Sequence, residues 1–304
     1  VMMGEELSKK FPTTDHNILV TDLNRVMLDI CGLEDNPEGS GTEWYEVELP
    51  KKAAGVLKAK PFLGQYGAIL IDEFQDIVTK PEVLSFVFHM AAGDSLSDLK
   101  LVMAGDRHQQ ILSDANAELD PYPKIKELVK DTVHLKLDKN CRSDPKLYQQ
   151  MMEHLEMPNL VRSHRLSEIE GSGLTVLSVK PHNQEKKLRE VLKKLLEEHP
   201  AKDIRVLSPF GGKTSLAGKV VHSEAKSNEA SWLKDNLKSY EVTEGIRWRS
   251  IMKFKGLESE VIVITDLGKE AQDFFEKIGR SYQDAIYVGI ARAKSKCVIL
   301  VGEN

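Results

Sequence analysis

The 304-residue chain is long enough for two domains, and its 41% apolar and 29% charged residues are those of a globular protein. Against 47 Asp and Glu stand 42 Lys and Arg, a net charge of −5, which excludes a basic coat over the whole surface; nucleic-acid binding would need a local groove. No apolar run approaches the ~18 residues of a membrane span and no secretory signal is seen, while Cys31, Cys141 and Cys297 form no CxxC pair, so a reducing, cytoplasmic setting is expected.

In chain order, VMMGEELSKKF (1–11) reads as a helix already in progress, followed by the turn Pro12–Asp15 and a strand at Ile18–Thr21. Segment 32–49 is polar, Gly-rich and acidic and predicts a surface excursion. Ala68–Ile71 is short, wholly apolar and rich in β-branched residues, which predicts a strand buried on both faces. Further strands are expected at Lys100–Ala104, Val133–Leu137, Leu174–Val179, Ile204–Ser208, Val261–Thr265 and Cys297–Val301. Between them, Glu185–His199 carries apolar residues at helical spacing (Leu188, Val191, Leu192, Leu195), and 211–249 reads as a second polar segment. The alternation predicts an α/β fold with largely parallel sheets flanked by helices, divided near residue 131 into lobes 1–131 and 132–304.

Five stretches carry possible chemistry. The strand at 68–71 runs into Asp72-Glu73-Phe74-Gln75-Asp76. Carboxylates beyond an apolar strand are costly unless a cation or hydrogen bonds satisfy them. Acidic capping of the next helix would explain them. So would a metal and nucleotide site, in which Asp72 holds Mg²⁺ and Glu73 orients a water. LKLVMAGDRHQQIL (99–112) again ends a strand in Gly-Asp, with Gln109 three residues on; a plain strand–turn–helix fits it equally well. LDKNCRSDP (137–145) offers Arg142, whose planar guanidinium suits phosphate, although a lone arginine is usually a solvated surface residue. SIMKFKGLESEVIVITDL (250–267) places Lys255-Gly256 and Glu258 before a strand, and AIYVGIARAKSKCVILVG (285–302) places Arg292 before another. Each of these alone fits a loop glycine or a surface arginine. PFGGKTS (209–215) lacks the first glycine of a phosphate-binding loop, since Leu207 stands there, and reads as an ordinary loop.

Taken in order, DEFQD, GDRHQQI, NCRS, KGLE and YVGIARAK resemble the UvrD/Rep family of superfamily 1 DNA helicases, over essentially the whole chain. ILVTDLNR (18–25) is similar to the family's first DNA-contacting strand, so Thr21, Asn24 and Arg25, with Met252 and Lys253, are expected to face DNA. The resemblance implies two RecA-like lobes that close and open with ATP and Mg²⁺ and move along single-stranded or partly duplex DNA. It implies Asp72 on Mg²⁺, Glu73 activating the hydrolytic water, and Gln75 and Gln109 coupling the γ-phosphate to DNA. Arg142 and Arg292 would be arginine fingers, Glu258 a ribose contact, and Lys255 and Gly256 part of the nucleotide cleft. The sequence departs from the family at Asp22, Cys141 (Tyr in NYRS, which stacks on adenine), Met252 and Ala291, and GxxxxGK[ST] is missing. The expectation is that this loop lies just before Val1. A helicase-like module without hydrolysis is the alternative; a metal-dependent nuclease would rest on the acidic cluster only.

Overall fold

The structure, a computed structural model, describes residues 18–60, 66–92, 100–109, 125–126, 132–222, 224, 227–240 and 244–303. The helix expected at 1–11 lies outside them. The chain falls into two compact units that change over between His134 and Leu135. It is an α/β protein in which every paired strand is parallel.

In the first unit, α1 (Leu23–Cys31) begins at Asp22, whose carboxylate accepts the Arg25 N–H at 2.9 Å. It ends at Gly32, which takes the left-handed conformation (φ 67°) so that its N–H and that of Leu33 close the last turn. A π-turn at Trp44–Glu48 leads into α2 (Leu49–Ala59), and α3 is Pro81–Ala92. β1 (Ile69–Ile71) pairs with β2 (Leu101–Met103) in the register Ile69↔Leu101 to Ile71↔Met103. Val26, Met27, Leu28, Leu49, Ala53, Leu57, Phe86 and Val87 form the core, and Ile69, Ile71 and Leu101 pack against it.

Three sequence expectations change here. Ile18–Thr21 forms no strand and Ile18 and Leu19 are exposed, because no neighbouring strand pairs with them among the described residues. β1 is not buried on both faces: Leu70 is 76% exposed and its partner Val102 59%, since α1–α3 pack on the Ile69/Ile71 side. Segment 32–49 is not wholly a surface excursion, because Trp44 packs on the core and Leu49 is fully buried.

In the second unit, β3 (Lys139–Asn140) pairs with β4 (Ser163–His164), and α4 (Pro145–His154) lies between them in sequence. A six-stranded sheet contains β5 (Gly173–Val179), β6 (Ile204–Ser208), β7 (Leu237–Lys238), β8 (Ile246–Ser250), β9 (Ser259–Leu267) and β10 (Ala293–Gly302), in the spatial order β5-β10-β9-β6-β8-β7. The intervening helices are α5 (Gln184–Glu198), α6 (Leu216–His222), α7 (Asn228–Asn236), α8 (Ile251–Phe254), α9 (Lys269–Lys277) and α10 (Tyr282–Ile290). Leu188, Leu192 and Leu195 of α5 meet Val206, Val261 and Val263 in one core, to which α6 and α7 add Leu216, Val220 and Leu233. The central strand β9 reads Val-Ile-Val-Ile at 261–264, all four side chains fully buried, as a parallel strand covered on both faces requires.

The expected strand at Val133–Leu137 is absent, and Val133, Leu135 and Leu137 are 80, 79 and 90% exposed; their alternation lacks a partner strand that would make it a ladder. Segment 211–249, expected to be a polar excursion, instead supplies α6, α7, β7 and most of β8. Trp232 and Trp248 pack against the core from it. The GGKT turn is an exposed 3₁₀ turn; Ser208 Oγ, Thr265 Oγ1 and the Leu216 N–H all donate to Asp266 beside it, which anchors the start of α6.

Candidate functional site

In the first unit the carboxyl ends of β1 and β2 are stitched together. Ala104 N–H donates to Ile71 C=O at 2.8 Å, and Phe74 N–H donates back to Ala104 C=O at 2.9 Å. The chain turns sharply between these bonds. Asp72 is exposed, and its Oδ1 accepts the Glu73 N–H at 2.9 Å. Glu73 itself takes the left-handed conformation (φ 54°, ψ 39°). For a residue other than glycine this costs on the order of 1 kcal/mol or more, and such positions cluster at functional sites.

Gln75 is the pin of this corner. It is fully buried; its Nε2 donates to Glu73 Oε2 at 2.5 Å while its Oε1 accepts the Asp106 N–H at 3.1 Å. Gly105 is dictated by the same contact, because a Cβ there would sit 2.7 Å from Gln75 Oε1. Asp106 then accepts from His108 N–H at 3.0 Å through Oδ1 and from Gln109 Nε2 at 2.9 Å through Oδ2. Glu73, Gln75 and Gln109 are thus joined through Asp106, which the sequence reading named only as part of Gly-Asp. The signal was limited to residue type: an amide such as Gln75 can donate to one strand end and accept from the next.

In the second unit Asn140 shapes the NCRS turn. Its Oδ1 accepts the N–H groups of Arg142 (3.1 Å) and Ser143 (3.2 Å), and its Nδ2 donates to Ser143 C=O at 2.8 Å. Buried Asp144 caps α4 through Lys146 N–H and Leu147 N–H, and its own N–H donates to Lys294 C=O at 2.7 Å, which ties the turn to β10. Arg142 and Cys141 are left exposed at the tip. The Arg142 Nε lies 3.5 Å from Glu258 Oε2, and Lys294 Nζ lies 2.6 Å from Glu258 Oε1. One carboxylate therefore sits between two cations, of which Lys294 was not foreseen. All three side chains are about half exposed, so these pairs orient more than they stabilise.

Lys255 follows α8, and Gly256 (φ 81°) turns the chain with open space where a Cβ would stand. Arg292 joins this region through its backbone, the Ser259 N–H donating to its C=O at 3.0 Å. Its side chain is only 2% exposed, and Nε donates to Val288 C=O at 3.2 Å in the last turn of α10. It is the largest fully buried side chain described.

The residues expected to face DNA belong to different elements, some in each unit. Thr21 is exposed before α1; Asn24 and Arg25 lie within α1, not on a strand. Arg25 pairs with Asp29 at 2.5 Å and donates to Glu34 C=O at 2.7 Å. Met252 is half-buried, its sulfur 3.6 Å from an Arg280 nitrogen, whereas Lys253 is exposed.

Among the described residues no cluster of three or more His, Cys, Asp or Glu side chains could cage a metal ion. Mg²⁺ bound to a nucleotide needs less: one or two carboxylates, with water and phosphate completing the shell. The exposed Asp72 carboxylate beside half-buried Glu73 fits that requirement. No protein-family model matches the chain, and no curated protein matches it.

Proposed function

We infer that the chain is the motor core of an ATP-dependent DNA helicase or translocase of the UvrD/Rep kind, with each unit a RecA-like lobe. The observation that carries this reading is the buried Gln75 bridge, which links Glu73 at the end of one parallel strand to Asp106 and Gln109 at the end of the next. Crevices at the carboxyl ends of parallel strands are where α/β proteins bind ligands. In this reading Asp72 would hold Mg²⁺, which polarises the phosphates, and Glu73 would take the proton of the attacking water. Gln75 holds the Glu73 carboxylate in place, and Gln109, fixed by Asp106, would move with the γ-phosphate. On the second unit, Arg142 would be the group that meets phosphate and Glu258 the one that meets ribose, with Lys255 and Gly256 beside them, whereas the Arg292 side chain is buried against α10.

The test is phosphate release by the natural protein with and without single-stranded DNA. Release stimulated by DNA is expected; DNA binding without any nucleotide turnover contradicts the motor. One observation favours the alternative of a helicase-like binding module: the buried Arg292 side chain is bonded to the Val288 C=O of α10.

A further inference from the structure

The neighbouring strands β6, β8 and β7 at one side of the six-stranded sheet carry a row of cations on one face. Lys238 of β7 stands opposite Arg247 of β8, and Arg247 stands opposite Arg205 of β6. Residues in direct register share a face, and so do residues two apart, which adds Arg249 to the row. Like charges placed opposite one another destabilise a sheet. Among the described residues none of the four makes an ion pair with a carboxylate. Burial pushes the pKa of Arg247 down, and among the described residues its buried Nε has no hydrogen-bond partner.

An aromatic ring organises the row. Tyr240 follows β7, and the guanidinium carbons of Arg249 and Arg247 lie 4.3 and 5.3 Å from its ring centroid. The ring is braced edge-on by Phe254 of α8, at 6.3 Å. Stacking on a ring fixes a guanidinium plane while leaving its donor edge available. Arg205 is different, since its NH1 is spent on the C=O groups of Ile204 and Lys202, so it adds positive field rather than contacts.

As an extension of the DNA-motor reading, and resting on it for the class of partner, we propose that Arg247, Arg249 and Tyr240, with Lys238, form a binding surface for the phosphate backbone of single-stranded DNA. A local strip of stacked arginines on a protein of net charge −5 is what a groove following a polyanion requires.

The test is fluorescence anisotropy of a labelled oligothymidylate, without nucleotide, over a range of salt concentrations. The Arg247→Gln/Arg249→Gln variant should bind at least ~10-fold more weakly, and its log–log salt slope should shrink by roughly 1.4, the loss of two phosphate contacts to a single strand. Arg247→Lys/Arg249→Lys should recover the slope but only part of the affinity. Thermal melting of the glutamine variant should match the wild type or exceed it, because an unfavourable like-charge pair is removed. If that variant melts early, Arg249→Gln alone carries the test, since Arg249 faces Leu207 rather than a cation. Unchanged affinity and slope in a folded variant overturn the surface. So does binding of polyglutamate with no binding of the oligonucleotide, which would mark an acidic protein as the partner. Because no nucleotide is present, the failures separate. Normal DNA-stimulated phosphate release with unchanged binding by the variant removes the surface alone. Patch-dependent DNA binding without phosphate release removes the motor alone.

Discussion

The two candidate regions are built by opposite means. At the ends of β1 and β2 a fully buried amide, Gln75, holds Glu73 on one side and Asp106 on the other, so position is set by hydrogen bonds from a side chain out of reach of water. Around NCRS and KGLE the side chains of Arg142, Glu258 and Lys294 are held by half-exposed charge pairs on a turn shaped by Asn140. A buried polar bridge is rigid and costly to break; an exposed ion pair is adjustable and nearly free to lose. The first arrangement suits a group that must hold still, the second a group that must exchange partners. Arg292 belongs with the first kind despite its sequence neighbours, being buried and bonded to the end of α10, the helix that precedes it.

That contrast can be broken by substitution. Arg292→Ala should have the largest effect, destabilising the second unit by roughly 2–4 kcal/mol, in the range of large-to-small changes at buried sites. Urea denaturation measures it, and a loss below ~1 kcal/mol would show that Arg292 is not a structural side chain. Gln75→Leu should follow, with a loss of about 1–3 kcal/mol, because the part-buried Asp106 N–H loses the Gln75 acceptor and Glu73 loses the Gln75 donor. Proteolysis or melting of the first unit reads it. Arg142→Ala and Glu258→Gln should each cost less than ~1 kcal/mol, as expected for half-exposed pairs, whatever they do to activity. A large loss at either would erase the distinction between the two regions.

The smallest effect is chemical. Cys141 at the NCRS tip is exposed, while Cys297 is buried and burial pushes its thiol pKa well above the usual range. A thiol reagent should modify Cys141 in the folded protein and Cys297 only on unfolding. Modification of both together would contradict the burial of β10.

Much of the second unit was readable in the sequence, because continuous apolar runs such as Val261–Thr265 and the helical spacing of Leu188, Leu192 and Leu195 each specify one structure. What escaped was set by partners distant in the chain. Ile246–Ser250 reads Ile-Arg-Trp-Arg-Ser, an alternation lost inside a segment read as polar, and its register with β6 and β7 fixes it as a strand. Val133–Leu137 alternates like a strand and pairs with nothing described, so its period alone misled. At the candidate site, Asp72, Glu73, Gln75 and Gln109 were visible as residue types after strands. The bridging role of Asp106, the Lys294–Glu258 contact and the burial of the Arg292 side chain were not, since none follows from local spacing.

The central claim is that Glu73, strained into the left-handed region and held by Gln75, is the base for hydrolysis. Single-turnover phosphate release by the natural protein and by its Glu73→Gln variant, both with single-stranded DNA, tests it most directly. The account predicts a fall of roughly 10²–10⁴-fold, the usual contribution of a positioned general base, with ATP binding retained. An unchanged rate in the variant would contradict it.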